Sequence, residues 1–434
     1  ISSVSSPRLI RPSGVFAAEK ALPGICYDSI LLPRHDRKMD RDRRKLLSLA
    51  GALRPDAVRM LRAITGFAEL PLQEKRTSKT LSTFLEGNGF KVERGIAGME
   101  TAFRAEFPFG RGKPAVALLC EMDALPGLGH ACGHNLGGVA SACAAAALAR
   151  FGASRFRAGK VIALGTPAEE TGYGKARMIE EEVFAKVDAA MMVHASSRRH
   201  VVKGCLALHK IRFSFLGKAS HAAAYPEHGV NALDAVLLLF QGVAALRQHL
   251  PDTVRVHGII TDGGKAPNIV PERAQAYFYV RGETDAEMHD AMRRVKRCAR
   301  AAATSTGCRL RMEEGPYTLS AMKVNPVLAG SYRRALAFLG VKESGAPPDR
   351  NRGSSDIGNV SRIVPSLQPN VPISGGERVE IHTRSFEEAT TSPAGVKGMM
   401  EGIRALALTA YDLFADPRLV REAWRALRQE QGRS

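Results

Sequence analysis

The stretch Ala115–Asn135, AVALLCEMDALPGLGHACGHN, decides how the rest of the chain is read. Its first six residues are an unbroken apolar run bounded by polar neighbours, which predicts a strand buried on both faces. The run ends at Asp123 and passes into a turn carrying Pro126, Gly127 and Gly129. Cys132 and His134 follow, two residues apart, at the head of an alanine-rich segment that reads as a buried helix. Strand, glycine turn and helix in that order form the repeating element of an α/β sheet. A carboxylate, a thiol and an imidazole gathered at the end of one strand are donors for metal-assisted hydrolysis.

Two more apolar runs repeat the pattern. Lys160–Leu164 leads to PAEE, with Glu169 and Glu170. Ala189–Val193 leads to His194. In such sheets, sites collect at the carboxyl ends of strands. Far downstream, IHT supplies His382, so the last part of the chain must fold back onto the first. Upstream, Asp40–Gly89 has a helical pattern and leads to a strand near Lys91–Arg94. The segment Leu206–Glu314 differs in style. It reads strand (Leu206–Leu216), helix (Asn231–His249), strand (Thr253–Thr261), strand (Ala274–Arg281), helix (Asp285–Thr304), strand (Arg309–Glu314). That βαββαβ order is the ferredoxin-like arrangement, inserted whole into the first domain.

At 434 residues the chain exceeds one ordinary core and favours two domains. Its 45% hydrophobic and 24% charged content is that of a globular protein in water. No apolar run is long and pure enough to span a bilayer, so no membrane partner is expected. Residues 1–38 lack a continuous apolar core and are interrupted by Pro7, Pro12, Pro23 and Pro33, unlike a secretory signal. They read as a disordered or non-native leader, with a transit peptide as the alternative. Seven cysteines, an odd number thinly spread, suit a reducing compartment, and a cytoplasmic location is expected. The net charge of +19 invites a nucleic-acid reading. The basic residues sit mainly on predicted helices, as in Arg293, Arg294, Lys296, Arg297 and Arg300, and no aromatic platform accompanies them. A solvated helix face is the simpler account, and a field attracting anionic substrates the lesser one.

Each chemical residue has a plainer reading beside it. A buried cysteine is usually packing, but Cys132 has His134 beside it and Asp123 placed to orient an imidazole. Paired acids often begin helices. Glu169 and Glu170 instead suit a division of labour, one holding a cation and the other serving as a general base. His194 is either a satisfied core histidine or a ligand, and its position at a strand end favours the ligand. His221, in GKASHAAAYP, is an isolated surface histidine or a donor to the oxyanion of a tetrahedral intermediate. Ser220–His221 is no nucleophile–base pair, since adjacent side chains rarely face each other. GLGHACGH lacks the glycine spacing of a dinucleotide fingerprint, and no P-loop, HExxH or GxSxG is present.

Together, CEMDALPGLGHACGHN, GTPAEETGYGKARMIE, GKASHAAAYPEHGVNALDA, VHGIITDGGKAPNIVPERA and GSSDIGNVSRIVP closely resemble the aminoacylase/carboxypeptidase G metallopeptidase family. The likeness is greatest to its amidohydrolase branch, which includes aminobenzoyl-glutamate hydrolases and β-alanyl-lysine (Xaa-Arg) dipeptidases. It runs in order from about Asp56 to Leu413. The resemblance implies an α/β catalytic domain, residues 39–203 and 319–434, with a ferredoxin-like dimerisation or lid domain, residues 204–318, inserted in it. It implies two divalent metal ions per chain, zinc or manganese, held by Cys132, His134, Glu170, His194 and His382. Glu169 is then the general base and later the proton donor to the leaving amine, and Asp123 orients a ligand. His221 is expected to reach the active site of the partner in a homodimer, and Asn268 and Arg281 to line the substrate side. The implied enzyme is a metal-dependent amidohydrolase or dipeptidase acting on a small dipeptide or N-acyl amino acid. The alternatives are an N-acyl amino acid deacylase and a catalytically silent ligand binder. The charged run SGGERVEIHTRSF before and after His382, and the pair Arg198–Arg199, depart from the expected pattern and point to an altered substrate preference.

Overall fold

The structure, a computed structural model, describes residues 37–345 and 352–431. The leader expected over residues 1–38 lies outside the described residues except for Arg37 and Lys38, which open the helix Arg37–Ala52. The protein is a mixed α/β molecule built on two main sheets, one of six strands and one of four.

Twelve strands are described: β1 (Lys91–Arg94), β2 (Phe103–Gly110), β3 (Ala115–Glu121), β4 (Gly159–Thr166), β5 (Ala189–Met191), β6 (His194–Ser196), β7 (Ala207–Leu216), β8 (Arg255–Asp262), β9 (Arg273–Gly282), β10 (Arg309–Glu314), β11 (Ser366–Leu367) and β12 (Asn370–Pro372). The larger sheet runs β1-β2-β4-β3-β5-β11. Strands β4, β3, β5 and β11 are parallel, and β1 and β2 close one edge antiparallel. The apolar run of β3 is continuous because each of its faces feeds a core. Val116, Leu118 and Cys120 join the cluster that contains the helices His134–Gly152 and Pro393–Ala415. Ala115, Ala117 and Leu119 join a second cluster with Met178, Phe184 and Ile357.

Strand β3 lies between β4 and β5, so the chain leaves it to one side and later returns on the other. This reversal opens a crevice at the strands' carboxyl ends, where open α/β sheets bind ligands. The third strand is shorter than expected. It stops at Met191, and the chain resumes at His194 in a separate parallel ladder of β6 with β12. Between the two ladders the neighbouring strand segment carries Pro369, which has no N–H to donate but whose carbonyl accepts from the His194 N–H at 2.9 Å.

The smaller sheet, β10-β7-β9-β8, is antiparallel throughout. The helices Ala232–Arg247 and Asp285–Thr306 cover one face, over Ala274, Ala276, Phe278 and Val280 of β9. Asn231 and Thr284 cap these helices, Thr284 with Glu287 in a capping box. The alternate residues of β9, Tyr277, Tyr279 and Arg281, point to the uncovered face. Among the described residues no helix is long and apolar enough to cross a membrane.

Candidate metal centre

Backbone geometry brings the donors of the first crevice together. Gly133 has φ 86°, a left-handed conformation that glycine adopts at no steric cost, and a Cβ there would meet Ala195 Cβ at 2.4 Å. It turns the chain between Cys132 and His134 so that both side chains face one cluster. Gly138, one helical turn on, lies against the Glu121 carbonyl, where a Cβ would come within 2.4 Å. Its absence lets the helix sit directly on β3. Ala168 and His382 also have positive φ, 57° and 64°, without being glycine. Such strained residues cluster where a site must hold a fixed geometry.

The imidazoles are oriented from behind. His134 Nδ1 donates to the Asp123 carbonyl at 2.9 Å, with the Asp123 carboxylate 3.2 Å away. His194 Nδ1 donates to the Ala195 carbonyl at 2.8 Å. Both therefore carry the proton on Nδ1 and offer the Nε2 lone pair to the cluster, as metal-bound histidines do. His194 Nε2 lies 3.4 Å from Cys132 Sγ. Asp123 also accepts the Glu170 N–H at 2.9 Å, tying the ends of β3 and β4 together. The late segment is fastened by the His382 N–H, which donates to the Ala131 carbonyl at 2.9 Å. His382 Nε2 is 3.9 Å from Glu170 Oε2.

The donors form two overlapping groups that share Cys132: Cys132, His134 and His194, and Cys132, Glu170 and His382. Within each, one ligand atom per residue lies within 4.8 Å of the others. The site is short of positive charge. Burial pushes the Glu169 carboxyl well above its ordinary range, with Glu121 and Glu170 adding to the effect. Burial likewise raises the Cys132 thiol, reinforced by Glu170 and Glu169. Burial draws His194 down to about 4, which leaves it neutral. His134 is lifted against its burial by Cys132, Glu121 and Asp123. Asp123 Oδ1, His134 Nε2 and Glu170 Oε1 are buried without a hydrogen-bond partner. His134 Nε2 and Glu170 Oε1, orphaned in an acid-rich pocket, are atoms that divalent cations satisfy, and the residues present fit such ions.

Three residues at the site were not singled out from the sequence. Lys175, wholly buried, places Nζ 2.7 Å from Glu121 Oε1 and 2.5 Å from Asp356 Oδ1. Glu121 Oε2 in turn lies 3.4 Å from His134 Nε2. Glu121, Glu169 and Asp356 also cluster closely enough to hold a cation. The Lys175 ammonium already pairs with Glu121 and Asp356 of that group, so it reads as the floor of the centre. Glu121 and Asp123 are alternate residues leaving one strand and so share a face, which was the available signal. The two acids and the lysine all fall within stretches quoted above.

The other expected residues divide. Arg281 lines the crevice and donates to Ser354 Oγ at 2.8 Å. His221 and Asn268 are exposed and do not line it. They lie together, with Ala222 N–H donating to the Asn268 carbonyl at 3.0 Å and His221 bridged to Ile269. Arg199 is not directed at substrate. Its guanidinium forms a two-pronged pair with Glu401 at 2.5 and 2.6 Å, on the helix Pro393–Ala415. The six described cysteines are all free thiols.

A thiol, imidazoles and carboxylates of this kind, set at a sheet's switch point beside an inserted βαββαβ unit, define a metal-dependent amidohydrolase of peptide or linear amide bonds. Residues 207–306 match the peptidase dimerisation domain model of the M20 group. The chain is 38% identical over 387 residues to the Xaa-Arg dipeptidase of Mus musculus, covering 85% of this chain and 89% of that one. It is 34% identical over 296 residues to one of the p-aminobenzoyl-glutamate hydrolase subunits of Escherichia coli, covering 63% and 60%. In fold it matches a dinuclear metal-binding peptidase of the M20 family from Bacillus subtilis, with TM-score 0.64 and 20% identity over 83% of this chain and 99% of that one. The chain belongs to the M20 metallopeptidase family.

Proposed function

We propose that the chain hydrolyses the amide bond of a dipeptide or N-acyl amino acid, with Cys132 shared between two cation positions. The observation that carries this reading is the pair of donor groups meeting at Cys132. His134 and His194 complete one position, Glu170 and His382 the other. Two divalent cations bound there, zinc or manganese, would polarise the scissile carbonyl and acidify a water.

The chain's own groups handle the proton. Glu169 is buried beside both positions, and burial raises its proton affinity, which suits a general base. It takes the proton of the attacking water and passes it to the leaving nitrogen. Asp123 fixes the His134 tautomer. Arg281, with Ser354, receives the substrate carboxylate.

His221 and Asn268 act across a homodimer, completing the partner's site. Their exposure, and their absence from the lining of their own crevice, support this. The free edge strand β8 supports it too, since Ile259 and Ile260 are 62% and 42% exposed there. The domain limits we adopt are 39–203 with 319–434 for the catalytic part and 204–318 for the inserted part. Free thiols accord with a cytoplasmic location. The test is turnover by metal-reconstituted protein on a panel of dipeptides and acyl amino acids. Full metal loading without hydrolysis of any of them would leave the silent ligand binder as the better reading.

A further inference from the structure

The crevice is a cavity of about 800 Å³, roofed by the uncovered face of the smaller sheet. Its charged lining is lopsided. Glu169 and Glu170 belong to the metal centre, and Glu380 is paired with Arg378 at 2.6 Å. What remains is Arg198, Lys203, Lys210 and Arg281, and none of these four forms an ion pair with a carboxylate among the described residues. Lys210 stands opposite Tyr279 in the β7–β9 ladder, and Leu208 stands opposite Arg281. Lys210 and Arg281 are therefore diagonal neighbours on the face that looks into the cavity. The Lys210 ammonium donates to the Thr171 carbonyl at 2.9 Å and lies over the Tyr279 ring, neither of which neutralises it, and the carboxylates whose field it feels, Glu169, Glu170 and Asp356, belong to the metal centre and its floor. Lys203, half-buried and also lining the cavity, has no hydrogen-bond acceptor among the described residues and feels the like charge of Arg352.

Burial weakens the protonation of Lys203, Lys210 and Arg281 alike. Unpaired cations that are half-desolvated are costly unless a ligand supplies the counter-charge. One substrate carboxylate answers Arg281 and leaves the lysines unanswered. A basic side chain would add to the excess, because among the described residues no free carboxylate outside the metal centre lines the cavity.

Resting on the amidohydrolase reading, we propose that the substrate is an amide of a dicarboxylic amino acid. Its α-carboxylate lies on Arg281, and its side-chain carboxylate pairs with Lys210, the diagonal neighbour of Arg281. The cavity thus selects against arginyl amides, although the chain is more alike to an Xaa-Arg dipeptidase than to an aminobenzoyl-glutamate hydrolase.

The test compares acetyl-glutamate, acetyl-leucine and acetyl-arginine as substrates of the metal-reconstituted enzyme, with calorimetric binding of free glutamate, leucine and arginine alongside. The glutamyl amide should lead in kcat/KM by about tenfold or more, as expected for a contact to a buried charge, and glutamate should bind tightest. Lys210→Gln should bring the glutamyl-to-leucyl ratio towards one, and Lys210→Glu should move preference towards arginyl. Metal content and melting temperature report whether these variants fold. An arginyl amide cleaved as well as the glutamyl one by the unmodified enzyme overturns the proposal and leaves the hydrolase reading standing. Glutamate bound preferentially with no amide cleaved keeps the pocket assignment and removes the hydrolase reading. Absence of both preference and turnover removes the two together.

Discussion

Lys175 Nζ lies 2.7 Å from Glu121 Oε1, both side chains wholly buried, and Glu121 Oε2 lies 3.4 Å from His134 Nε2. Asp356 closes the group at 2.5 Å from the same ammonium. A cation under the metal centre thus holds two carboxylates that would otherwise compete for whatever binds above.

Removing that ammonium should be severe. Lys175→Met leaves Glu121 and Asp356 buried and facing each other without a counter-charge. Breaking a buried pair from one side costs about 3–5 kcal/mol. Denaturant unfolding of the variant should show a loss of that order. Unchanged stability would mean the triad is solvated or protonated in place.

The metal assignment separates three neighbouring side chains. Cys132→Ala should lose at least one ion, because both donor groups contain it. Glu170→Ala should lose metal, whereas Glu169→Ala should keep its metal and fold but lose most turnover. Elemental analysis beside a hydrolysis assay reads all three. Equal metal loss in the two glutamate variants would mean that their roles are misassigned.

Much of this arrangement was legible because short-range rules govern it. The apolar runs before Asp123, Glu169 and His194 mark strands, and a strand end is where an open sheet presents polar groups. The βαββαβ order is legible because strand and helix patterns are set over a few residues. What stayed hidden depends on long-range pairing. Glu121 meets Lys175 across 54 positions, and Lys175 meets Asp356 across 181. Arg199 looked like a substrate contact and instead finds Glu401, 202 positions away. Strand β2 escaped notice because Pro108 sits within it, at a register shift where the edge pairing is interrupted.

The proposed dimer should depend on β8. This strand pairs on one side only, with β9, and exposes Ile259 and Ile260, while Leu237 and Leu238 on the helix Ala232–Arg247 are also exposed. An unprotected apolar edge of this kind invites pairing with another chain. Ile259→Lys should shift the protein from dimer to monomer in light scattering without lowering its melting temperature much. A variant that stays dimeric would place the interface elsewhere.

In the proposed dimer, His221 would link that interface to catalysis. It is exposed, its Nδ1 accepts the Ala224 N–H at 3.1 Å, and its Nε2 is left to donate outward. It does not line the crevice of its own chain. If it donates to the oxyanion in the partner's site, His221→Ala should remain dimeric and metal-loaded but turn over more slowly. The loss of one such donor costs about 2.7–4 kcal/mol, roughly a hundred- to a thousandfold. Mixing His221→Ala with Glu169→Ala should then restore activity, although each is impaired alone. In the mixed dimer one site has an intact base from its own chain and an intact His221 from the other. Subunit exchange verified by mass, with no activity regained, would show that His221 serves its own chain or has no part in turnover.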